Sequence, residues 1–104
     1  MLYSLHFTVE YDASMGQQGL FSVWAEEAEV ALGAKSAGVV KDLYKVVGER
    51  KVLAIVDVPT PDDLDKILFD LPIMKKMGHS VQVEVKSLRR YEDFAADVKE
   101  RLGR

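Results

Sequence analysis

Cysteine is absent from this chain of 104 residues. Its absence excludes disulfides, thiolate nucleophiles, and metal or iron–sulfur sites built on cysteine. A chain without cysteine is also typical of a reducing compartment, so we expect a cytoplasmic location. Histidine is scarce, with two residues, and neither stands in a spacing typical of metal ligands. The sequence therefore predicts no metal site.

The chain also lacks an excess of basic residues and a long apolar run. The formal net charge is −3, which gives no electrostatic reason to expect nucleic acid or anionic lipid as a partner. No segment approaches the roughly 20 apolar residues of a membrane span. Residues 1–5 lack the basic region of a signal peptide. We expect a protein that binds neither nucleic acid nor a membrane.

Apolar residues make up 48% of the chain, enough for a packed core. The length suits one domain over residues 1–104, and no linker, repeat or low-complexity tract divides it.

Four segments have the pattern of β-strands. Apolar and polar residues alternate from Leu2 to Tyr11, and again around Val81–Val85. Val39–Val47 and Val52–Val58 are predicted to be joined by a hairpin turn at residues 48–50. The third segment is almost entirely apolar, which favours a central position in the sheet.

Three segments have the pattern of helices. Residues 15–37 carry apolar side chains at steps of three and four. Thr60 and Pro61 are a typical helix start, with acidic residues following them and Pro72 interrupting the segment. Tyr91–Leu102 is amphipathic. The order β-α-β-β-α-β with a C-terminal helix predicts an α+β, ferredoxin-like fold.

Such a sheet has one face without helices, which would carry His6 and Thr8. Pairing that face with a second copy would cover it, so we expect a homo-oligomer, a dimer or larger. The C-terminal helix is expected to pack on a neighbouring subunit.

Glu27 is a carboxylate within the apolar stripe of the first helix. It lies three residues after Trp24 and four before Ala31, on the face that should be buried. Burial disfavours the ionised form and raises the pKa of a carboxylate, which suits a general acid or base near neutral pH. Alternatively, Glu27 reaches water or a buried cation at the edge of the stripe.

The sequence resembles the muconolactone isomerases of the dimeric α/β-barrel superfamily. The resemblance covers about nine-tenths of the chain and runs without a gap to about Pro72. The matching positions are Met1-Leu2-Tyr3, Thr8-Val9, Glu27, Glu29, Gly38, Leu43, Gly48, Val56-Asp57-Val58-Pro59, Leu64, Leu68 and Leu71-Pro72.

The resemblance implies a dimeric α/β barrel and a reaction that needs neither metal nor organic cofactor. Such enzymes shift the double bond of a small carboxymethyl-substituted unsaturated lactone during the breakdown of aromatic compounds. A base removes a carbon-bound proton, and an acid returns one elsewhere. Glu27 falls at the family's helix glutamate and is implied as the proton shuttle.

The resemblance also implies a group that holds the substrate carboxylate. Lys41 and Lys45 stand where the family has two arginines on the second strand, and Tyr44 replaces its tryptophan. Arg89 is a second candidate for this role, or a surface charge at a strand end. Trp24 and Tyr44 line the pocket or belong to the core.

Two other functions remain open from the sequence. His6 is either an acid–base residue, as in some cyclases of the superfamily, or an interface histidine. The first alternative is therefore a polyketide-type cyclase. The second is a non-catalytic binding or assembly module of the same fold. A buried Glu27 facing a cavity with a cationic group would favour an enzyme.

Overall fold

The computed structural model describes residues 1–103. Its strands are β1 (Leu2–Val9), β2 (Val40–Lys45), β3 (Lys51–Asp57) and β4 (Val81–Leu88). Its α-helices are α1 (Gly16–Ser36), α2 (Pro61–Asp70), α3 (Pro72–Met77) and α4 (Tyr91–Arg101), and a 3₁₀ turn spans Gly78–Ser80.

The strands form one antiparallel sheet in the order β2-β3-β1-β4. Leu5 pairs with Ala54 on one side and Val85 on the other, and Ala54 pairs with Leu43. Paired residues share a face, so this row points towards the helices. The predicted ferredoxin-like order and the central position of β3 are confirmed.

The core lies between the helices and one sheet face, in two clusters. One surrounds the C-terminal half of α1 and contains Tyr3, Leu5, Val40, Ala54, Val56, Val58 and Leu64. The other surrounds the N-terminal half of α1 and contains Val9, Leu20, Ile73, Met77 and Val81.

The ends of α1 and α2 follow from local chemistry. Gly38 has φ +85° and donates to the carbonyl of Lys35, while the N–H of Val39 donates to Ala34 at 3.0 Å. This is a Schellman motif, which favours glycine. At α2, the N–H of Asp63 donates to the Thr60 hydroxyl at 3.1 Å, so the predicted N-cap is confirmed.

Several predicted boundaries were wrong. β1 ends at Val9, and β2 spans Val40–Lys45 with a bulge at residue 41. After the interruption at Pro72 the chain forms α3, a separate helix that the periodicity did not predict. Val30 of α1 and Ile67 of α2 are apolar but 45% and 40% exposed, and both line a cavity.

The second sheet face carries no helix. Its register rows bring together Leu2, Leu53, Ile55 and Leu88 with the polar residues Ser4, His6 and Thr8. α4 buries none of its side chains, and Tyr91 is 75% exposed. Both features leave apolar surface uncovered in the single chain. Within residues 1–103, no helix combines the length and the hydropathy needed to cross a membrane.

Candidate active site

A cavity of about 630 Å³ lies between the helices and the sheet. Its floor is the helix-facing side of β1, β2 and β3, and its walls are α1, α2 and the start of α3. Most of the lining is apolar. The polar and aromatic-hydroxyl residues that line it are Tyr11, Gln17, Glu27, Tyr44, Lys45, Glu49 and Arg50.

Glu27 lines the wall of this cavity and is half-buried. Its Oε1 accepts a hydrogen bond from the backbone N–H of Ile73 at 3.3 Å. Burial raises the pKa of Glu27, and the hydrogen bond from Ile73 partly opposes that shift. Among the ion pairs of residues 1–103, none includes Glu27. The raised pKa that the apolar stripe predicted is confirmed in direction.

The partner of Glu27 comes from the first turn of α3. Pro72 begins this helix, and Ile73 follows it. N–H groups in the first turn of a helix have no acceptor inside the helix. The N–H of Ile73 is therefore free to hold the carboxylate of Glu27 in place.

Arg50 supplies a positive charge at the hairpin end of the cavity. Its Nε donates to the carbonyl of Val9 at 3.0 Å, and its guanidinium lies 5.4 Å from the ring centroid of Tyr11. These two contacts hold the side chain on the end of β1. The bond to Val9 uses Nε, so the two terminal nitrogens remain available for a carboxylate.

Three predicted binding residues border the same cavity. Lys45 lies beside it, and its Nζ donates to the carbonyl of Val46 at 2.8 Å. Trp24 is half-buried and packs on the cluster around the N-terminal half of α1. Tyr44 lies where β2 forms the cavity edge, but its pairing with Leu53 places its side chain on the helix-free face.

The other predicted site residues lie outside the cavity. Lys41 is exposed on the bulge of β2. The pKa of Asp57 is lowered mainly by its hydrogen bond from the N-terminal amino group, and the charge of Lys41 lowers it further. Arg89 forms an ion pair with Asp97 of α4. His6 is exposed on the helix-free face. Glu27, Lys45 and Trp24 thus line the same cavity, whereas Lys41, Arg89 and His6 do not.

Sequence reasoning missed Arg50 as a site residue. From the sequence, residue 50 lies only in the predicted hairpin turn at residues 48–50 and has no role in a site. A signal was available, because antiparallel pairing of β1 with β3 places the start of β3 beside the end of β1. The hydrogen bond from Ile73 to Glu27 could not be predicted in this way, since its donor is a backbone N–H and does not depend on the residue type. Over residues 1–103, no three histidine or acidic side chains converge where they could hold a metal ion.

Comparison with known proteins identifies the family. The sequence model of muconolactone delta-isomerase matches residues 1–93. This chain belongs to the muconolactone delta-isomerase family. It is 25% identical over 97 residues to muconolactone delta-isomerase 2 of Acinetobacter lwoffii, covering 93% of this chain and 97% of that protein.

Solved structures support the same assignment. A crystal structure of muconolactone isomerase aligns with a TM-score of 0.73 and 26% identity over 86% of this chain and 90% of that one. The fold of this family member is therefore that of the dimeric α/β barrels. A 5-chloro-2-hydroxyhydroquinone dehydrochlorinase from Burkholderia phenoliruptrix, in complex with 2,5-dihydroxybenzoquinone, aligns with a TM-score of 0.61. It is 14% identical and covers 86% of this chain and 95% of its own, which supports the fold alone.

The site of this muconolactone delta-isomerase relative combines three chemical elements. Glu27 is a carboxylate with a raised pKa, Arg50 and Lys45 are cationic, and the remaining walls are mostly apolar. An apolar site strengthens electrostatic interactions by excluding water. The arrangement can hold an anionic molecule and move a proton along its carbon skeleton.

Proposed function

We propose that this protein is a cofactor-independent isomerase that shifts a carbon–carbon double bond in a small carboxylated unsaturated lactone. Glu27 carries the proposal, since it faces a cavity of about 630 Å³ that Arg50 and Lys45 also line. Membership of the muconolactone delta-isomerase family supports the reaction class.

In the proposed mechanism, the Glu27 carboxylate removes a proton from the carbon next to the unsaturated system. The electron pair of the broken C–H bond enters the ring and forms a dienolate. Glu27 then returns the proton to a different carbon, which shifts the double bond with no net gain or loss of atoms. The raised pKa of Glu27 suits both the removal and the return of the proton, since a proton shuttle works best when its pKa lies near the operating pH.

Arg50 and Lys45 are proposed to hold the substrate carboxylate, with Arg50 as the main contact. A guanidinium forms two parallel hydrogen bonds to a carboxylate, which an ammonium does not. Trp24 is proposed to bound the substrate at the cavity edge. Tyr44 is not assigned this role, because its pairing with Leu53 places its side chain on the helix-free face. Lys41 and Arg89 stay candidates only for binding outside the cavity.

The two alternative functions have less support. A cyclase that uses His6 needs that residue beside a pocket, but His6 is exposed on the helix-free face. A non-catalytic module needs no cavity around a desolvated carboxylate. No observation on the described residues favours either alternative over the isomerase.

We also propose that the protein works as a homo-oligomer. The helix-free face and α4 both leave apolar surface uncovered, and a second copy is the partner expected to cover them. Sedimentation at micromolar concentration tests this proposal. A dimer or larger species is expected, and a monomer would contradict it.

The function is tested by proton exchange. A carboxymethyl-substituted unsaturated lactone is incubated with the protein in deuterated water and followed by NMR. We expect deuterium to enter the carbon that loses its proton, together with appearance of the isomer, both faster than in buffer. Exchange no faster than in buffer would exclude this lactone as the substrate.

A further inference from the structure

Buried side chains fix the first turn of α3 against α1. Ile73 and Met77 of α3 are 3% and 1% exposed, and both belong to the core cluster that contains Leu20 of α1. Pro72 occupies the first position of α3, and its ring restricts the backbone there. Because a close-packed core resists small displacements, the N–H of Ile73 is held in one position beside α1.

This N–H engages one oxygen of Glu27 and leaves the other available. It donates to Oε1 at 3.3 Å. Over residues 1–103, this is the hydrogen bond that the Glu27 carboxylate forms with the protein, and the side chain lines the cavity. The two oxygens therefore differ: the backbone holds Oε1, whereas Oε2 can contact a bound molecule.

Within the described residues 1–103, no charged side chain has this role. The lysines of α3 are engaged in ion pairs, Lys75 with Asp70 and Lys76 with Glu26. Lys45 of β2 lines the cavity, but its Nζ donates to a backbone carbonyl. Burial and the hydrogen bond from Ile73 are the two influences on the pKa of Glu27. A neutral donor holds the carboxylate without pairing its charge, so the group can still take up and release a proton.

We propose that the backbone N–H of Ile73 is a positioning group for the isomerisation, which holds Oε1 of Glu27 so that Oε2 removes and returns the proton. The inference rests on the proposed function for its reaction and on the packing of α3 against α1 for its geometry. A glutamate side chain without this contact samples several rotamers, and ordering it costs free energy. Misplacing a reacting group by about 1 Å can lower a rate by about 10²-fold.

NMR on the wild-type protein tests the hydrogen bond directly. The amide proton shift of Ile73 should change with pH together with the side-chain carboxyl carbon of Glu27, because the acceptor gains and loses its charge. An Ile73 shift that stays constant while Glu27 titrates would overturn the proposal. This measurement uses no substrate and does not depend on the isomerase activity.

Replacing the N–H of Ile73 with an ester oxygen removes the donor and keeps the side chain. The corresponding α-hydroxy acid is introduced by nonsense suppression. We expect kcat for a carboxylated lactone to fall by roughly tenfold to 10²-fold. KM should change little, because this N–H contacts Glu27 and not the substrate. The pKa of Glu27 should rise further, since the hydrogen bond favours the ionised form.

The matched control is the same ester at Asp62, which also follows the first-position proline of its helix and lies outside the cavity. It should leave kcat and the pKa of Glu27 at their wild-type values, and an equal loss would overturn the proposal. In a Glu27→Gln background, the ester at residue 73 should cause no further loss of rate. A further loss there would mean that Ile73 does not act through Glu27.

Glu27→Asp is the second variant if the ester protein does not fold. Its carboxylate is one methylene shorter and does not keep both contacts. We expect kcat to fall at least about tenfold and the Ile73 amide shift to lose its dependence on pH. A wild-type rate with an Ile73 shift that no longer titrates would overturn the positioning role.

The two proposals fail in different ways. A wild-type protein that does not accelerate exchange on the lactone contradicts the isomerase and, with it, the role of Ile73 in that reaction. An active wild-type protein whose kcat is unchanged by the ester at residue 73 contradicts the role of Ile73 alone.

Discussion

Glu26 and Glu27 are neighbours on α1 and lie in opposite environments. Glu26 is exposed and forms an ion pair with Lys76 of α3. Glu27 is half-buried, faces the cavity and has a raised pKa. One residue step turns a helix by about 100°, so a single position separates a solvated surface charge from a desolvated one. The outer face of α1 carries a solvated ion pair, while its inner face carries the proposed chemistry.

The sharpest test of this comparison is to replace each carboxylate with its amide. Glu27→Gln is expected to lower the rate of double-bond migration by roughly 10²–10⁴-fold, because the amide does not take up a proton near neutral pH. Glu26→Gln is the matched control and should keep the wild-type rate. The readout is deuterium exchange followed by NMR. If both variants exchange like the wild type, Glu27 is not the shuttle.

The cavity that the inner face of α1 lines also contains a cation at its hairpin end, Arg50. Arg50→Gln is expected to raise KM for a carboxylated lactone by roughly tenfold to a hundredfold, the usual range for a charge-assisted hydrogen bond. Because the contact exists in both ground and transition states, kcat should change little. Lys41→Ala and Arg89→Ala, outside the cavity, should leave KM near its wild-type value. If Lys41→Ala raised KM more than Arg50→Gln did, the substrate carboxylate would have to bind at β2 instead.

The two carboxylates should differ in their effect on stability with pH. Burial raises the folded-state pKa of Glu27 above its unfolded value, so the folded protein binds that proton more tightly. The resulting contribution to the free energy of unfolding is complete below the unfolded pKa and is lost as pH rises through the folded pKa. Glu27→Gln should remove this dependence, so its stability relative to wild type should increase with pH.

Urea denaturation at several pH values measures this difference. Glu26→Gln again serves as the control, because Glu26 is exposed and paired. A constant difference in stability between Glu27→Gln and wild type from acidic to alkaline pH would show that Glu27 is not desolvated.

The smallest effect on stability is expected for the Glu26–Lys76 ion pair on the outer face of α1. Both partners of the Glu26–Lys76 pair are about half exposed, and surface ion pairs contribute about 0–1 kcal/mol. Lys76→Ala should therefore change the free energy of unfolding by no more than this, and less at high salt. A loss well above 1 kcal/mol would mean that this pair fixes α3 against α1, and with it the position of Ile73.

Much of the fold was predictable because its signals are local. Alternation identified the strands, and Thr60 with Pro61 identified the start of α2. Glu27 was found because helical periodicity alone places it on the buried face. α3 was missed because its six residues are too few to show a period, and only Pro72 marked a change there.

The candidate site was predictable only in part. Lys41 and Lys45 were considered together because both match basic positions of the family. The bulge in β2 at residue 41 then separates them, placing Lys45 beside the cavity and Lys41 near Asp57. A bulge changes the sheet face on which a side chain lies. The residue types in this segment did not predict the bulge.

The sequence by itself determined the order of the four strands and of α1, α2 and α4, where α2 begins, and that one carboxylate lies on a buried face. These properties depend on the chemistry of residues close together in the chain. Only the tertiary structure decided what surrounds that carboxylate. The hydrogen bond from Ile73 to Glu27 joins residues 46 positions apart, and that from Arg50 to Val9 joins residues 41 apart. Such contacts depend on how the helices pack on the sheet, which leaves no periodic trace in the sequence.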